Sequence, residues 1–142
     1  ISNSYIEIYI KNKKFFLEVA NNNSSRNKGL SFRKTLAKDQ GMLFVFNTEE
    51  VRSFWMVNCL IDLDIMFIDS NSKVVKTYTM KKEREKSASE LLYAYHSRLK
   101  RYSSIVPIKY AIELNAGSIR KLDIKKGDLI IGLKNEIIKI KK

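Results

Sequence analysis

Cysteine and histidine occur once each, so no disulfide can close within this chain and no zinc site of four Cys or His ligands can form. The missing disulfide fits a cytosolic or an envelope location, because a core of this size does not require one. No apolar run approaches the roughly 18–20 residues of a membrane-spanning helix. The opening ISNSYIEIYI alternates like a strand instead of reading as a leader. A Walker loop, GxGxxG and HExxH are all absent. No catalytic machinery, metal or cofactor is therefore expected from the motifs.

What is present fits one globular domain over residues 1–142, with 44% hydrophobic and 30% charged residues. Lys and Arg number 27 against 15 Asp and Glu, a net charge of +12. Such an excess invites nucleic acid or another anionic polymer, because clustered cations release counterions from phosphates. Most of the lysines are spread through loops and strand ends, however, as a compositional bias would also place them. Local exceptions are Lys81, Lys82, Arg84 and Lys86 before an expected helix, and Arg98, Lys100 and Arg101 at its end. Lys139, Lys141 and Lys142 close the chain.

Residues Ser4 to Ile10 set Tyr5, Glu7 and Tyr9 against Ile6, Ile8 and Ile10, the period of two of a half-buried strand. A polar turn at Lys11–Lys13 leads into a second strand at Phe15–Val19, which predicts a hairpin. Asn21–Ser25 predicts a short helix capped by Ser24 or Ser25 and ended near Gly29. Gly41–Phe46, Phe54–Val57 and Ile65–Ile68 are apolar on both faces, as covered strands are. Further strands are predicted at 73–80, 108–114, 128–133 and 136–140. Helices are predicted at Ser87–Lys100, with Ser87 or Ser89 as cap and Leu91, Leu92, Tyr95 and Leu99 as its apolar stripe, and around Ser118–Leu122. Pro107 precedes a strand, where its missing amide costs little. Many short strands with regular turn signals predict a mainly β fold, an antiparallel β-sandwich or barrel with two or three short helices.

The order Arg26, Gly29-Leu30, Phe32-Arg33, Leu36, Gly41–Phe46, Phe54-Trp55-Met56, Asn58, Leu60 and Leu63–Asp69 resembles the bacterial and archaeal domain-of-unknown-function family 192, also called uncharacterised protein family 0127. Tyr110–Gly117 and Ile124–Asp128 look like that family's closing strand, short helix and glycine turn, so the family-like core covers about residues 16–130. The resemblance implies a jelly-roll-like β-sandwich and no established activity. It also implies an envelope location, exported or membrane-anchored through a removed N-terminal leader, with the cytoplasm as the alternative. Ser31, Cys59 and Asp62 depart from the family's usual methionine, threonine and proline. A basic helical insertion at about 81–104 replaces a short loop.

Arg33, Asn58, Asp64 and Glu113 are polar residues in apolar surroundings, and Arg33 is expected to meet Asp64 or Glu113, because an unpaired buried charge is costly. One reading is a satisfied network that holds loops to the sheet. The other is a ligand pocket in which Trp55 is a flat wall while Arg33, Asn58, Asp64 and Glu113 orient a small polar ligand or sugar, or an envelope component. A hydrolase using Asp64 and Glu113 as paired carboxylates is a further alternative. Cys59 and Met42, Met56 and Met66 read as core fillers rather than as nucleophile or metal ligands. Nucleic-acid binding would fall to Lys82, Arg84, Arg98, Lys100 and Arg101, with Tyr93, Tyr95 and Tyr102 interleaved for stacking. Against that stands a solvated charged face.

Overall fold

A computed structural model describes residues 4–140. Its strands are β1 (Tyr5–Ile10), β2 (Lys13–Ala20), β3 (Gln40–Glu50), β4 (Ser53–Phe54), β5 (Leu63–Ile68), β6 (Val74–Met80), β7 (Tyr102–Ser103) and β8 (Ile108–Asn115). Helices are α1 (Asn23–Lys28), α2 (Leu92–Arg98), α3 (Ser118–Leu122) and α4 (Leu133–Ile140). Six strands make one sheet in the order β1-β2-β3-β8-β5-β6, and β4 pairs with β7 in a separate small sheet.

The opening hairpin forms as its alternation demands, with Tyr5 opposite Glu18 and Ile10 opposite Lys13. From there β3 lies parallel to β2, an arrangement that requires the crossover carried by α1 and the loop after it. The sheet is therefore mixed, and its strands do not close into the expected barrel. One parallel pair breaks the all-antiparallel pattern because the chain leaves β2 through a helix rather than through a tight turn.

Successive strand residues face opposite sides of a sheet, and two apolar clusters divide accordingly. On one side Ile6, Ile8, Phe15, Leu17, Leu43 and Ile112 meet Ile124, Ile130, Leu133 and Ile137 from the C-terminal elements. On the other side Met42, Phe44, Ile65, Phe67 and Ala111 meet Leu30, Met56, Phe54 and Tyr102 from the loops and the small sheet. Fully burying a side chain of this size contributes about 1.5–3 kcal/mol, so each layer supplies a large share of the folding free energy.

Four sequence expectations are corrected. The two strands predicted at 128–133 and 136–140 are instead a single bridge, Lys73 to Leu129, followed by helix α4. Leu133, Ile137 and Ile140 sit four and three residues apart, so a helix puts all three on the sheet where a strand would split them. Phe54–Val57 does not enter the large sheet: only Phe54 is in a strand, and Asn58 turns the chain with φ 56°. The predicted helix over 87–100 shrinks to α2, with no side-chain cap at Leu91. Residues before it are drawn into a loop because Arg98 donates to Glu90 at 2.7 Å and to the Arg84 and Glu85 carbonyls. Tyr95 and Leu99 are buried as expected, whereas Leu91 and Leu92 are exposed. The cap of α1 is Asn22, whose Oδ1 accepts from the Ser25 amide at 2.8 Å while Ser25 Oγ accepts from the Asn22 amide. Lys141 and Lys142 of the terminal basic group lie outside the described residues.

Candidate functional site

Glu113 stands on the loop-covered side of the sheet, in β8 between Met42 of β3 and Ile65 of β5. Its strand approaches β3 closely at Gly41, where a Cβ would lie 2.4 Å from the Glu113 carbonyl oxygen. The side chain is 4% exposed and makes no hydrogen bond among the described residues. Burial pushes its carboxyl up to about 8, so at neutral pH it is mostly a neutral acid with an O–H to donate. Cys59 is its neighbour: burial first, then the charge of Glu113, pushes the thiol up to about 12.

These two groups reach a cleft of about 360 Å³ between the sheet and the small sheet. Its walls are partly aromatic and partly polar, with Asn23, Asn27, Ser31 and Ser53 among the lining. Phe54 meets Phe44 edge-on at 4.8 Å and Phe67 at 5.5 Å, and Trp55 closes one side. Two guanidiniums line the cleft and crowd one ring, Arg26 at 5.4 Å and Arg52 at 4.4 Å from the centre of Phe46. Arg26 comes from α1 and is fixed by donating to the Val45 carbonyl and to Asn23 Oδ1, both at 2.8 Å. Arg52 donates through Nη2 to Thr48 and, at 3.4 Å, to Glu50 Oε2. Its Nε is buried with no hydrogen-bond partner among the described residues, a cost that stacking on Phe46 helps to offset. Glu113 is buried, whereas Arg26 and Arg52 are only half-buried. The cleft is thus cationic at its rim and neutral at its floor.

Of the residues expected to form a pocket, only Trp55 and Glu113 line it. Arg33 pairs with neither predicted carboxylate. It donates to Glu18 Oε1 at 2.8 Å, and Tyr5 shares that acceptor at 3.5 Å. The expectation overlooked Glu18 because its own alternation partners in β2 look like ordinary strand residues. Asn58 serves through its backbone, its amide donating to Tyr95 Oη at 2.8 Å and its carbonyl accepting from Phe32. Asp64 sits on the far face of the sheet, one residue out of step with Ile65, which opposes Glu113. There it accepts from Thr79 Oγ1 at 2.7 Å and from the Gly117 and Ile119 amides at 3.0 and 2.9 Å, tying β5 to β6 and to the start of α3. With the sheet between them, Asp64 and Glu113 do not form the acid/base pair a hydrolase would use. Sequence reasoning missed Arg26, Arg52 and Cys59 as cleft residues. The available signal was Arg52 bracketed by Phe46 and Phe54.

The basic segment folds onto the same region. Arg101 lies 4.2 Å over the Trp55 ring and His96 stacks against it at 4.7 Å. Arg98 and Arg84 both pair with Glu90, Lys100 lies over Tyr102, and the Lys82 amide donates to Asp62. A wider groove of about 980 Å³ runs between β1 and α4, but its charges are already matched, Lys11 to Asp128 and Lys139 to Glu136. Among the described residues no group of three or more His, Cys, Asp or Glu is placed to hold a metal. Nor is any helix among them long and apolar enough to cross a membrane.

Two solved structures share this architecture. A Sinorhizobium meliloti protein named "putative transcription regulator" is 26% identical, with a TM-score of 0.71 over 91% of this chain and 94% of that one. A Novosphingobium aromaticivorans protein of unknown function is 25% identical, with a TM-score of 0.70 over 89% of this chain and 83% of that one. No curated protein matches the chain significantly. The family model DUF192, described as uncharacterized ACR, matches residues 6–132, and its span takes in α1, Trp55, Glu113 and all of the six-stranded sheet but Tyr5. The chain belongs to the DUF192 family.

Proposed function

We propose that this protein is a non-catalytic binding module that takes a small molecule, free or as part of an envelope component, in the cleft between its two sheets. One observation carries the reading: Glu113, almost wholly buried, brings a carboxyl that makes no hydrogen bond among the described residues to the floor of a partly aromatic cleft. Buried polar groups in folded proteins are nearly always hydrogen-bonded, and an exception at a cavity is what a ligand would satisfy. The test is ligand-observed NMR with a library of neutral, cationic and anionic aromatic fragments, followed by amide and indole shift mapping. Binders are expected to move the Trp55 indole N–H and the Glu113 amide. A library that moves neither would overturn the reading.

A second reading, nucleic-acid or anionic-polymer binding through residues 81–101, is favoured by one neighbour's description as a "putative transcription regulator" and by the net charge of +12. Arg84, Arg98 and Arg101 are engaged within the protein, which leaves Lys82 and Lys86 with few allies. Anisotropy with a labelled duplex across salt decides it. Affinity should fall steeply as salt rises if phosphates are contacted.

A further inference from the structure

Resting on the binding-module reading, we propose that the cleft selects a small aromatic carboxylate with a hydroxyl or carbonyl oxygen at its far end. The carboxylate meets the guanidiniums at the rim, the ring lies among Phe44, Phe54 and Trp55, and the far oxygen bonds the Glu113 carboxyl. Each part of that description follows from a separate feature. Arg26 has no carboxylate partner among the described residues and spends only two of its five N–H groups, so it is a fixed cation with donors to spare. Arg52 stands beside it across Phe46, with Nη1 making no hydrogen bond among the described residues. Two guanidiniums repel an amine and favour an anion.

Phe44, Phe46, Phe54 and Trp55 offer faces to a flat apolar body, and the polar residues around them are led by the two guanidiniums and the Glu113 carboxyl. Size narrows the choice: 360 Å³ is the space of about a dozen waters at about 30 Å³ each, enough for a ligand built on a single ring. A ring, a short acid arm and one substituent fit that space. At the floor a protonated carboxyl both donates and accepts, so it suits a hydroxyl or carbonyl and gives nothing to a bare hydrocarbon end.

The experiment is titration calorimetry or NMR on the full chain with four named probes: 4-hydroxyphenylacetate, phenylacetate, 4-hydroxyphenylacetamide and tyramine. The first should bind best, phenylacetate about tenfold weaker for want of the far oxygen, and the amide and amine at least about tenfold weaker for want of the anion. In Arg26→Met the preference for acid over amide should disappear, and Arg52→Gln should shrink it, a second route if the first variant folds poorly. Raising the pH from about 7 to about 9.5 ionises Glu113 and should cost the hydroxylated acid up to about 30-fold in affinity, with a flat response in Glu113→Gln. Binding of tyramine or the amide as tightly as the acid, with Trp55 shifting, would overturn the ligand class and leave the binding module standing. Failure of every probe and every fragment to shift Trp55 would overturn both.

Discussion

Replacing Glu113 by Gln should make the protein more stable, and by an amount that depends on pH. Burial lifts this carboxyl from an ordinary 4.5 to about 8. The unfolded chain therefore releases the proton near 4.5 and the folded chain only near 8, so between those values the native state holds more protons and loses stability as pH rises. At about 1.4 kcal/mol per pH unit the loss reaches about 3 kcal/mol near neutrality and levels off at about 5 kcal/mol above pH 8. Glutamine keeps the shape and removes the charge. The variant should match its parent near pH 4.5 and exceed it by about 3 kcal/mol at neutral pH, or roughly 10 °C in Tm. Urea unfolding of both proteins at a series of pH values reads the difference directly, because contributions from every other titrating group cancel. A difference that stays flat from pH 4.5 to 9 would refute the argument and with it the neutral floor of the cleft. A residue that costs this much to keep is the kind of local defect that function, not folding, maintains.

Asp64→Ala should destabilise by about 3 kcal/mol in the same assay, since it strands the Thr79 hydroxyl and two amides in a buried place. Gly41→Ala forces a methyl against the Glu113 carbonyl and Leu114, and should cost about 2 kcal/mol or more, read as a lower urea midpoint. Ile137→Ala opens a hole between α4 and the sheet worth about 3 kcal/mol, and circular dichroism should show a lower Tm. Cys59 should react with iodoacetamide at least about a hundredfold more slowly in the native protein than in urea at about pH 8, because its thiol is pushed up to about 12. Equal rates would mean that the thiol is open to water.

Where the sequence carried a period, the structure follows it. Alternation in residues 5–10 and the covered stretches at 41–46 and 65–68 became β1, β3 and β5, and Gly117 with Ser118–Leu122 became the expected short helix. The failure at 133–140 has its own cause: an isoleucine-rich stretch satisfies strand and helix alike, and the register of three side chains against a neighbour decided the outcome. The site was legible in part. Trp55 and Glu113 stand out as polar or flat residues among hydrocarbons, yet nothing in one dimension says that Asp64 and Glu113 point to opposite sides, because that depends on which residues of β5 and β8 are paired. Arg26 and Arg52 are far apart in the chain, and only the parallel placement of β3 after α1 brings both to Phe46.

The long connection between β6 and β7 rests its Arg101 and His96 on Trp55 and takes no part in the six-stranded ladder. Its length can therefore change by insertion or deletion without moving a single rung. A shorter version would strip one side of the indole and widen the mouth; a longer one would roof it. The wall beside Trp55 and the ladder of the sheet are thereby uncoupled, and the two can drift through evolution at different speeds.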